Sequence, residues 1–259
     1  MNKIIQICKK IDENFKLLGL KKIYKTFLNF RRYLILYKLK KKNKFYICFY
    51  LKNSNILSQL SEKHGSDKGG DYNQTNKPFN WEPHTYTSYY YEIFNHQRED
   101  VKLVFECGIG SPNEKFLCNM TKNGKPGASL RVWRDYFINA KIFGADIDKS
   151  IMFSEERIKT YYVNQLDRDS IISMWENIKE RNFDLIIDDG LHEVQANLNL
   201  FFHSFNKLRS GGIYVIEDVE ILNLNKLQKA LSGYSSEAII LGGSSNTFQN
   251  NNLLVIRKN

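Results

Sequence analysis

From residue 100 onwards, apolar residues come in blocks of two kinds. Short runs of four to six residues, rich in Val, Ile, Leu and Phe, are typical of buried strands, while the longer segments between them have the spacing of amphipathic helices. The predicted strands are 103–106, 141–146, 160–163, 183–188, 212–217, 238–241 and 253–257. The predicted helices are 129–138, 149–158, 168–180, 193–208 and 222–232.

This alternation of strand and helix predicts a doubly wound α/β fold, in which a mostly parallel seven-stranded sheet is covered by helices on both faces. The last two strands are separated by the polar loop GGSSNTFQNNN and would close the sheet as a hairpin. We assign this domain to residues 101–259.

Residues 1–52 have a different character. Ile4, Ile5, Cys8 and Ile11 mark one apolar face among lysines, which predicts a basic helical arm. The arm holds 15 Lys and Arg against two acidic residues, a net charge of +13, whereas the remainder of the chain has a net charge of −3. The basic isoelectric point therefore belongs to the arm, and the body carries no basic excess of its own, which makes a nucleic-acid partner less expected. The arm suits an anionic membrane surface, or docking on the body or on a second subunit in a homo-oligomer.

The expected compartment is the cytoplasm, with the arm as a candidate contact with the inner membrane surface. The chain has no run of about 20 apolar residues and no signal-peptide pattern at its N-terminus. Its four cysteines, Cys8, Cys48, Cys107 and Cys118, have neither CxxC spacing nor the density of a disulfide scaffold, so we expect reduced thiols.

Residues 53–100 form a polar and aromatic segment too long for an ordinary connection. It contains HGSDKGG at 64–70 and HTYTSYYYEIF at 84–94, and only the second stretch has a helical pattern. Long ordered loops often carry function, so residues 64–90 are candidates for a lid or a substrate wall. The aromatic side chains in this segment would stack on a sugar face or form the core of the lid: Trp81, Tyr86, Tyr89 and Tyr90.

A candidate cofactor site follows the first strand, where Glu106 is succeeded by Gly108 and Gly110. Ligands of such folds bind beyond the carboxyl ends of the strands, and glycines there let a ligand approach the backbone. A nicotinamide dinucleotide fingerprint would need a third glycine, but Asn113 stands in its place and no helix begins directly. Glu106 instead suits the ammonium group of an amino-acid moiety.

The other strand ends complete this candidate site. Asp146 is placed to accept hydrogen bonds from ribose hydroxyls, and Gln165 and Asp167 are placed to frame an adenine. Asp188, at the end of a further strand, is also expected to bind the cofactor. An amino acid, a ribose and an adenine together indicate S-adenosylmethionine. Taken singly, each of these side chains is explained equally well as a solvated group at a strand end.

A candidate metal site follows the next two strands, which end in DDGLH (188–192) and in Glu217 and Asp218. Carboxylates gathered at one edge repel each other, and Mg²⁺ or another divalent cation relieves the repulsion. A bound metal lowers the pKa of a coordinated hydroxyl, and His192, three residues after Asp189, is placed to act as general base. The alternative is that His192 has a structural role.

Together, these motifs resemble the metal-dependent sugar O-methyltransferases of macrolide biosynthesis and related proteins of polysaccharide loci. The likeness runs from about residue 64 to residue 220 and is carried by HGSDKG, HxYTxYY at 84–90, FECGIG, GASLRVWRDYF at 127–137, IFGADID at 142–148, FDLIIDDGLHE at 183–193 and GGIYVIEDVE at 211–220. The arm and Leu191 depart from the family pattern.

The resemblance implies a class I methyltransferase fold and a role for each motif. Asp189, Glu217 and Asp218 would bind Mg²⁺ and His192 would be the base. Glu106, Gly108, Asp146 and Ser129 would bind or border the cofactor.

The function expected from the sequence is therefore S-adenosylmethionine-dependent and Mg²⁺-dependent methylation of a sugar hydroxyl, on a nucleotide-activated sugar or a cell-surface polysaccharide precursor. Two alternatives stay open: a non-catalytic protein of this fold that docks through its arm, and an enzyme that modifies RNA with the arm as its anchor.

Overall fold

The computed structural model describes residues 54–70, 77–242 and 251–259, and the backbone strand Phe45–Phe49. Residues 1–44 lie outside this part, so the helical arm stays a prediction there, while 45–49 form a strand. The middle of the 64–90 segment (71–76) and most of the loop between the last two strands (243–250) also lie outside the described residues. None of the described helices is long and apolar enough to cross a membrane.

The centre of the molecule is a single sheet with the strand order β1-β8-β9-β7-β6-β2-β3-β5-β4. Its strands are β1 (Phe45–Phe49), β2 (Leu103–Cys107), β3 (Lys141–Asp146), β4 (Ser154–Glu155), β5 (Ile158–Tyr162), β6 (Phe183–Asp188), β7 (Leu208–Ile216), β8 (Ser235–Gly242) and β9 (Asn252–Arg257). The seven predicted strands form the continuous run from β8 to β5. Each edge of the sheet carries one further short strand that the sequence pattern did not reveal.

Strand β2 lies at the centre of the parallel part of the sheet and pairs in parallel with β3 on one side and with β6 on the other. The order in which successive strands join the sheet reverses at this position. In the β2–β6 pair, Cys107 lies opposite Asp188, and β6 in turn pairs in parallel with β7. The carboxyl ends of β3, β2, β6 and β7 therefore lie side by side at one edge, and this is the switch point where such folds bind ligands. β9 runs antiparallel between β7 and β8, as predicted for a closing hairpin.

Six helices are present in the described residues: α1 (Ile56–His64), α2 (Tyr86–Phe94), α3 (Ala128–Tyr136), α4 (Arg168–Ile178), α5 (Val194–Ser204) and α6 (Ile221–Ala230). The last four agree with predicted helices, and α2 agrees with the helical pattern at 84–94. The remaining helix, α1, was not predicted.

The predicted helix 149–158 is wrong. A single 3₁₀ turn (Lys149–Ile151) is followed by β4, and β4 pairs with β5 across a two-residue turn. Arg157 adopts a left-handed backbone in that turn (φ 60°). Its guanidinium donates hydrogen bonds to the carbonyls of Arg134, Phe137 and Ala140 at 3.0–3.2 Å. These contacts come from distant parts of the chain, so residue spacing alone cannot reveal the hairpin.

Helix α1 escaped prediction because its buried face is mostly hydroxyl-bearing. Its buried residues are Leu57, Ser58 and Ser61, so apolar side chains mark only part of its buried face. Its N-terminus is closed by reciprocal hydrogen bonds between Asn55 and Ser58.

A cluster of aromatic side chains joins α2 to α3. Tyr90 packs edge-on against Trp133, with ring centroids 5.0 Å apart, and Phe94 packs in the same way against Phe137 at 5.3 Å. Among the four proposed wall residues, Tyr86, Tyr89 and Tyr90 are all buried. The three tyrosines are thus part of the core. Of the four proposed wall residues, Trp81 alone is not buried and is available to contact a ligand.

Candidate functional site

A cavity of about 630 Å³ opens beyond the carboxyl ends of the central strands, a size usual for ligand pockets. Six of the candidate cofactor, metal and catalytic residues line it: Gly108, Gly110, Asp146, Asp189, His192 and Asp218. A smaller pocket next to it is bordered by Ser129 and shares Gly108, Gly110 and Asp189 with the cavity. The structure therefore brings part of the candidate cofactor set and part of the candidate metal set to one opening.

The turn after β2 is in contact with the loop after β6. Gly108 has a φ of +88°, and a Cβ added there would lie 2.0 Å from the carbonyl oxygen of Asp189. The backbone N–H of Gly108 donates to Ala145, and that of Asp189 donates to Cys107, both at 2.8 Å. Only glycine fits at position 108. The loop that follows contains no helix before Ala128, which agrees with the rejection of a dinucleotide fingerprint.

Asp146 is held in a fixed position on the cavity wall. Its carboxylate accepts backbone hydrogen bonds from Ile109 at 2.9 Å and from Asp148 at 3.0 Å. Burial raises the pKa of Asp146, and these hydrogen bonds partly oppose the increase. The Asp148 carboxylate in turn accepts a hydrogen bond from the hydroxyl of Ser111 at 2.6 Å, which ties the end of β3 to the loop after β2.

Glu106 does not face the cavity. Its side chain is fully buried, its Oε2 accepts a hydrogen bond from Nε1 of Trp133 at 2.7 Å, and its Oε1 lies 3.0 Å from Nζ of Lys68. The sequence suggested that Glu106 would meet a ligand's ammonium group. In the structure the ammonium beside it belongs to the protein, so a direct cofactor contact stays a prediction.

Asp188 and Gln165 form a hydrogen-bonded pair that fixes the loop after β6. Asp188 is fully buried and accepts hydrogen bonds from Gln165 at 2.7 Å and Asn197 at 3.0 Å. Gln165 also accepts the backbone N–H of Leu191 at 2.8 Å and thereby fixes the loop that carries Asp189 and His192. Their direct contact with a cofactor remains a prediction.

Asp167 lies apart from the cavity. It is exposed, and its side chain accepts the backbone N–H of Asp169 at the start of α4. It borders a separate shallow pocket with Tyr161 and Tyr162. The structure shows a helix cap at this position, and contact with an adenine stays a prediction.

Three side chains have the arrangement of a cation site. Asp189, His192 and Asp218 each offer a ligand atom, and these atoms lie within 4.8 Å of one another. Nδ1 of His192 is buried and has no hydrogen-bond partner among the described residues. His192 and Asp218 both have left-handed backbones, with φ of 57° and 51°. Such strain in non-glycine residues collects at functional sites, and two carboxylates with one imidazole suit a divalent ion.

Glu217 lies beside this cluster but is engaged elsewhere. It is fully buried, accepts a hydrogen bond from the hydroxyl of Tyr90 at 2.6 Å and forms an ion pair with Lys68. Lys68 also contacts Asp189 at 2.6 Å. As a metal ligand, Glu217 therefore stays a prediction that requires Lys68 to release its carboxylate.

Lys68 supplies one positive charge to the three carboxylates that its ammonium group contacts, so negative charge is in excess there. Burial would lower the pKa of Lys68, but Asp189, Glu106 and Glu217 raise it well above its ordinary value. Burial also raises the pKa of Asp189 to about 7, even though Lys68 opposes the increase, and raises that of Glu217 well above its usual range. A group of carboxylates under-neutralised in this way favours a further cation.

Asp218 is positioned by the start of α2. The hydroxyl of Tyr86 donates to Oδ1 of Asp218 at 2.6 Å and accepts its backbone N–H at 3.2 Å. The ring of His84 stacks on Tyr86 with centroids 4.6 Å apart, and its Nε2 lies 3.6 Å from Asp218. The HxYTxYY motif was noticed in the sequence, but these partners lie more than 130 residues away along the chain and no spacing rule connects them.

Removing the hydroxyl of Tyr90 should destabilise the protein. Tyr90→Phe deprives a buried carboxylate of one of its hydrogen bonds, which typically costs about 1–3 kcal/mol. We expect a loss of this size in the free energy of unfolding, measured by urea denaturation. Tyr234→Phe is the control, because Tyr234 is 37% exposed at the surface. Equal stability of the two variants would contradict this account of Glu217.

Comparison with known proteins supports the interpretation of these motifs. Over 164 residues, 63% of its length, the chain is 31% identical to 8-demethyl-8-alpha-L-rhamnosyl tetracenomycin-C 2'-O-methyltransferase of Streptomyces olivaceus. Over 166 residues it is 31% identical to mycinamicin VI 2''-O-methyltransferase of Micromonospora griseorubida. The chain resembles macrolide and tetracenomycin sugar O-methyltransferases. The resemblance seen in the motifs is thereby confirmed.

The chain spans 38% and 36% of the lengths of these two relatives. No protein-family model matches its sequence. Among solved structures, the MycE methyltransferase of the mycinamycin biosynthetic pathway, determined in complex with Mg and SAH, aligns with a TM-score of 0.55 at 24% identity. The alignment covers 80% of this chain and 55% of MycE. It confirms the predicted methyltransferase fold, while the roles of individual residues remain predictions.

Proposed function

We propose that this protein is an S-adenosylmethionine-dependent and Mg²⁺-dependent O-methyltransferase that acts on a sugar hydroxyl. One observation carries the proposal: a single cavity is lined by Gly108, Gly110 and Asp146 on the cofactor side and by Asp189, His192 and Asp218 on the other. Methyl transfer needs the donor methyl and the acceptor oxygen held in line at short distance, and a shared cavity provides that proximity.

On the cofactor side, the chain offers a close backbone approach and a fixed carboxylate. The left-handed turn at Gly108 lies directly against the loop after β6, with no room for a side chain, so a ligand at this turn would meet backbone atoms. Asp146, fixed by two backbone N–H groups, would accept hydrogen bonds from the ribose hydroxyls. Ser129, at the start of α3, borders the adjoining pocket.

On the acceptor side, Asp189 and Asp218 would hold the divalent cation, and His192 would act beside the cation as the base rather than as one of its ligands. A bound cation of this kind lowers the pKa of a coordinated hydroxyl. His192 would take the hydroxyl proton on Nε2, which lies 3.7 Å from Oδ2 of Asp218, so that the resulting imidazolium is stabilised by a nearby carboxylate. Proton removal at the acceptor oxygen makes it a better nucleophile toward the sulfonium methyl.

Trp81 would contact the sugar itself. It lines the cavity, and its Nε1 donates to the carboxylate of Asp67 at 2.8 Å, which fixes the orientation of the ring. An aromatic ring held in this way offers an apolar face for stacking on a sugar. Nucleotide-activated sugars and polysaccharide precursors are both acceptors of the proposed class, and they differ in the group attached to the methylated ring.

The test is transfer of label from methyl-labelled S-adenosylmethionine to three acceptor classes: glycosides, nucleotide sugars and RNA. We expect label on a sugar oxygen in the presence of Mg²⁺, a loss of at least about 10²-fold in EDTA, and recovery when Mg²⁺ is restored. Mass spectrometry of the product identifies the methylated ring. Full activity in EDTA, or label in RNA alone, would contradict the proposal.

A further inference from the structure

We propose that Lys68 is an internal counter-ion that competes with the divalent cation for Asp189 and Glu217, and so sets the affinity of the site for metal. This inference rests on the metal site of the proposed function and assigns a positioning role to a residue of the HGSDKGG segment. It also accounts for Glu217, whose carboxylate lies beside the cluster but is engaged by an ammonium group.

The first support is the position of the ammonium group. The Lys68 side chain is 3% exposed, and its Nζ lies 2.6 Å from Asp189, 3.0 Å from Glu106 and in direct contact with Glu217. Asp189 is the residue that Lys68 shares with the candidate cation cluster. A cation bound to Asp189 and Asp218 would therefore lie close to a buried ammonium group.

The second support is the anchoring of the backbone around Lys68. Its carbonyl accepts the backbone N–H of Thr87 at 3.1 Å. The next residue, Gly69, is so close to Thr87 that an added Cβ would lie 2.0 Å from the Thr87 hydroxyl. The segment is thus fixed against the first turn of α2, which holds the backbone of Lys68 in place while its ammonium group contacts the three carboxylates.

The third support is the balance of charge. Lys68 is the ammonium group in contact with three carboxylates, those of Glu106, Asp189 and Glu217, and a fourth carboxylate, that of Asp218, lies beside Asp189 in the candidate cation cluster. Without metal, Lys68 offsets part of their mutual repulsion and stabilises the fold. With metal, two cations near one carboxylate repel each other, so the lysine weakens metal binding. Removing the ammonium would also free Glu217 to serve as a ligand.

A purely structural lysine predicts the opposite change. If Lys68 only held Asp189 in the orientation that binds metal, its removal would disorder a ligand and weaken binding. The sign of the change in metal affinity therefore distinguishes competition from simple support, independently of methyl transfer.

The experiment measures the dissociation constant for Mn²⁺ by electron paramagnetic resonance of the free ion, at one pH and without cofactor. It compares the full chain with Lys68→Met, Lys68→Arg and the control Lys122→Met, an exposed lysine of the loop after β2. We expect Lys68→Met to bind Mn²⁺ roughly tenfold more tightly or better, and Lys68→Arg and Lys122→Met to stay near the wild-type value. The Tm of Lys68→Met should be lower than that of the wild type without metal and should rise further than the wild-type Tm when Mn²⁺ is added.

Unchanged or weaker binding of Mn²⁺ by Lys68→Met would overturn the inference. If this variant folds only with metal, it is refolded in Mn²⁺ and its affinity is measured by competition with a chelator, and the same outcomes apply. If the wild type binds Mn²⁺ but Lys68→Met does not bind it more tightly, the inference fails and the proposed function stands. If neither protein binds Mn²⁺, both fail.

Discussion

Asp189→Asn is expected to lower kcat/KM for methyl transfer by about 10²–10³-fold while leaving the protein folded. The substitution keeps the shape of the side chain but removes the charge that Asp189 contributes to the cation cluster and to the Lys68 ion pair. The loss should appear in turnover, measured at saturating Mg²⁺ and S-adenosylmethionine. Affinity for S-adenosylhomocysteine, measured by calorimetry, should change little because the cofactor wall is intact.

Glu193→Gln is the matched control for this variant. Glu193 is an exposed acidic residue four positions further along the same loop, at the start of α5, and its side chain makes no capping hydrogen bond. The change also removes one negative charge close to the cavity, so it tests whether general electrostatics explain the result. A kcat/KM for Asp189→Asn within about threefold of that of Glu193→Gln would contradict a catalytic role for Asp189.

Gly108→Ala is expected to destabilise the fold by about 2–4 kcal/mol and to abolish binding of S-adenosylhomocysteine. At this position φ is +88°, and a methyl group would lie 2.0 Å from the carbonyl oxygen of Asp189. Either the turn after β2 or the loop after β6 must move, and both border the cavity. Urea denaturation gives the stability, and calorimetry gives the affinity.

Gly233→Ala provides the comparison, because a Cβ there would meet no atom within 4 Å. Its stability should stay within about 1 kcal/mol of that of the wild type, with normal affinity for the ligand. Normal stability and affinity in Gly108→Ala would show that the turn does not form the cofactor wall.

The parts of the site that lie at strand ends could be predicted from the sequence. Buried parallel strands are marked by apolar runs, and parallel pairing brings their carboxyl ends to one edge. Gly108 and Asp189 directly follow two such strands and Asp146 ends a third. The order of the strands in the sheet is therefore enough to predict that the three residues meet around one cavity.

The parts of the site that come from the segment before β2 could not be predicted in the same way. Lys68, Tyr86 and Tyr90 reach the site through contacts with residues more than 120 positions away along the chain. Their segment has no strand period, and the buried face of α1 is lined largely by serines. Burial of these side chains is set by tertiary packing, which hydrophobic periodicity does not record.

The positive charge beside Glu106 comes from a different source than the sequence suggested. A carboxylate at the end of a buried strand does call for a positive charge, and the sequence suggested that a ligand supplies it. In the structure Lys68 supplies it at 3.0 Å. The two groups are 38 residues apart in sequence, and their meeting depends on how the segment before β2 folds back over the sheet.

The central claim, that donor and cation share one cavity, is tested most directly by crystals of the full chain grown with S-adenosylhomocysteine and Mn²⁺. We predict an anomalous Mn²⁺ peak bound by Asp189 and Asp218, with S-adenosylhomocysteine in the same cavity against Gly108 and its ribose at Asp146. No Mn²⁺ peak at these carboxylates under saturating conditions, or a ligand bound away from Gly108, would contradict the account.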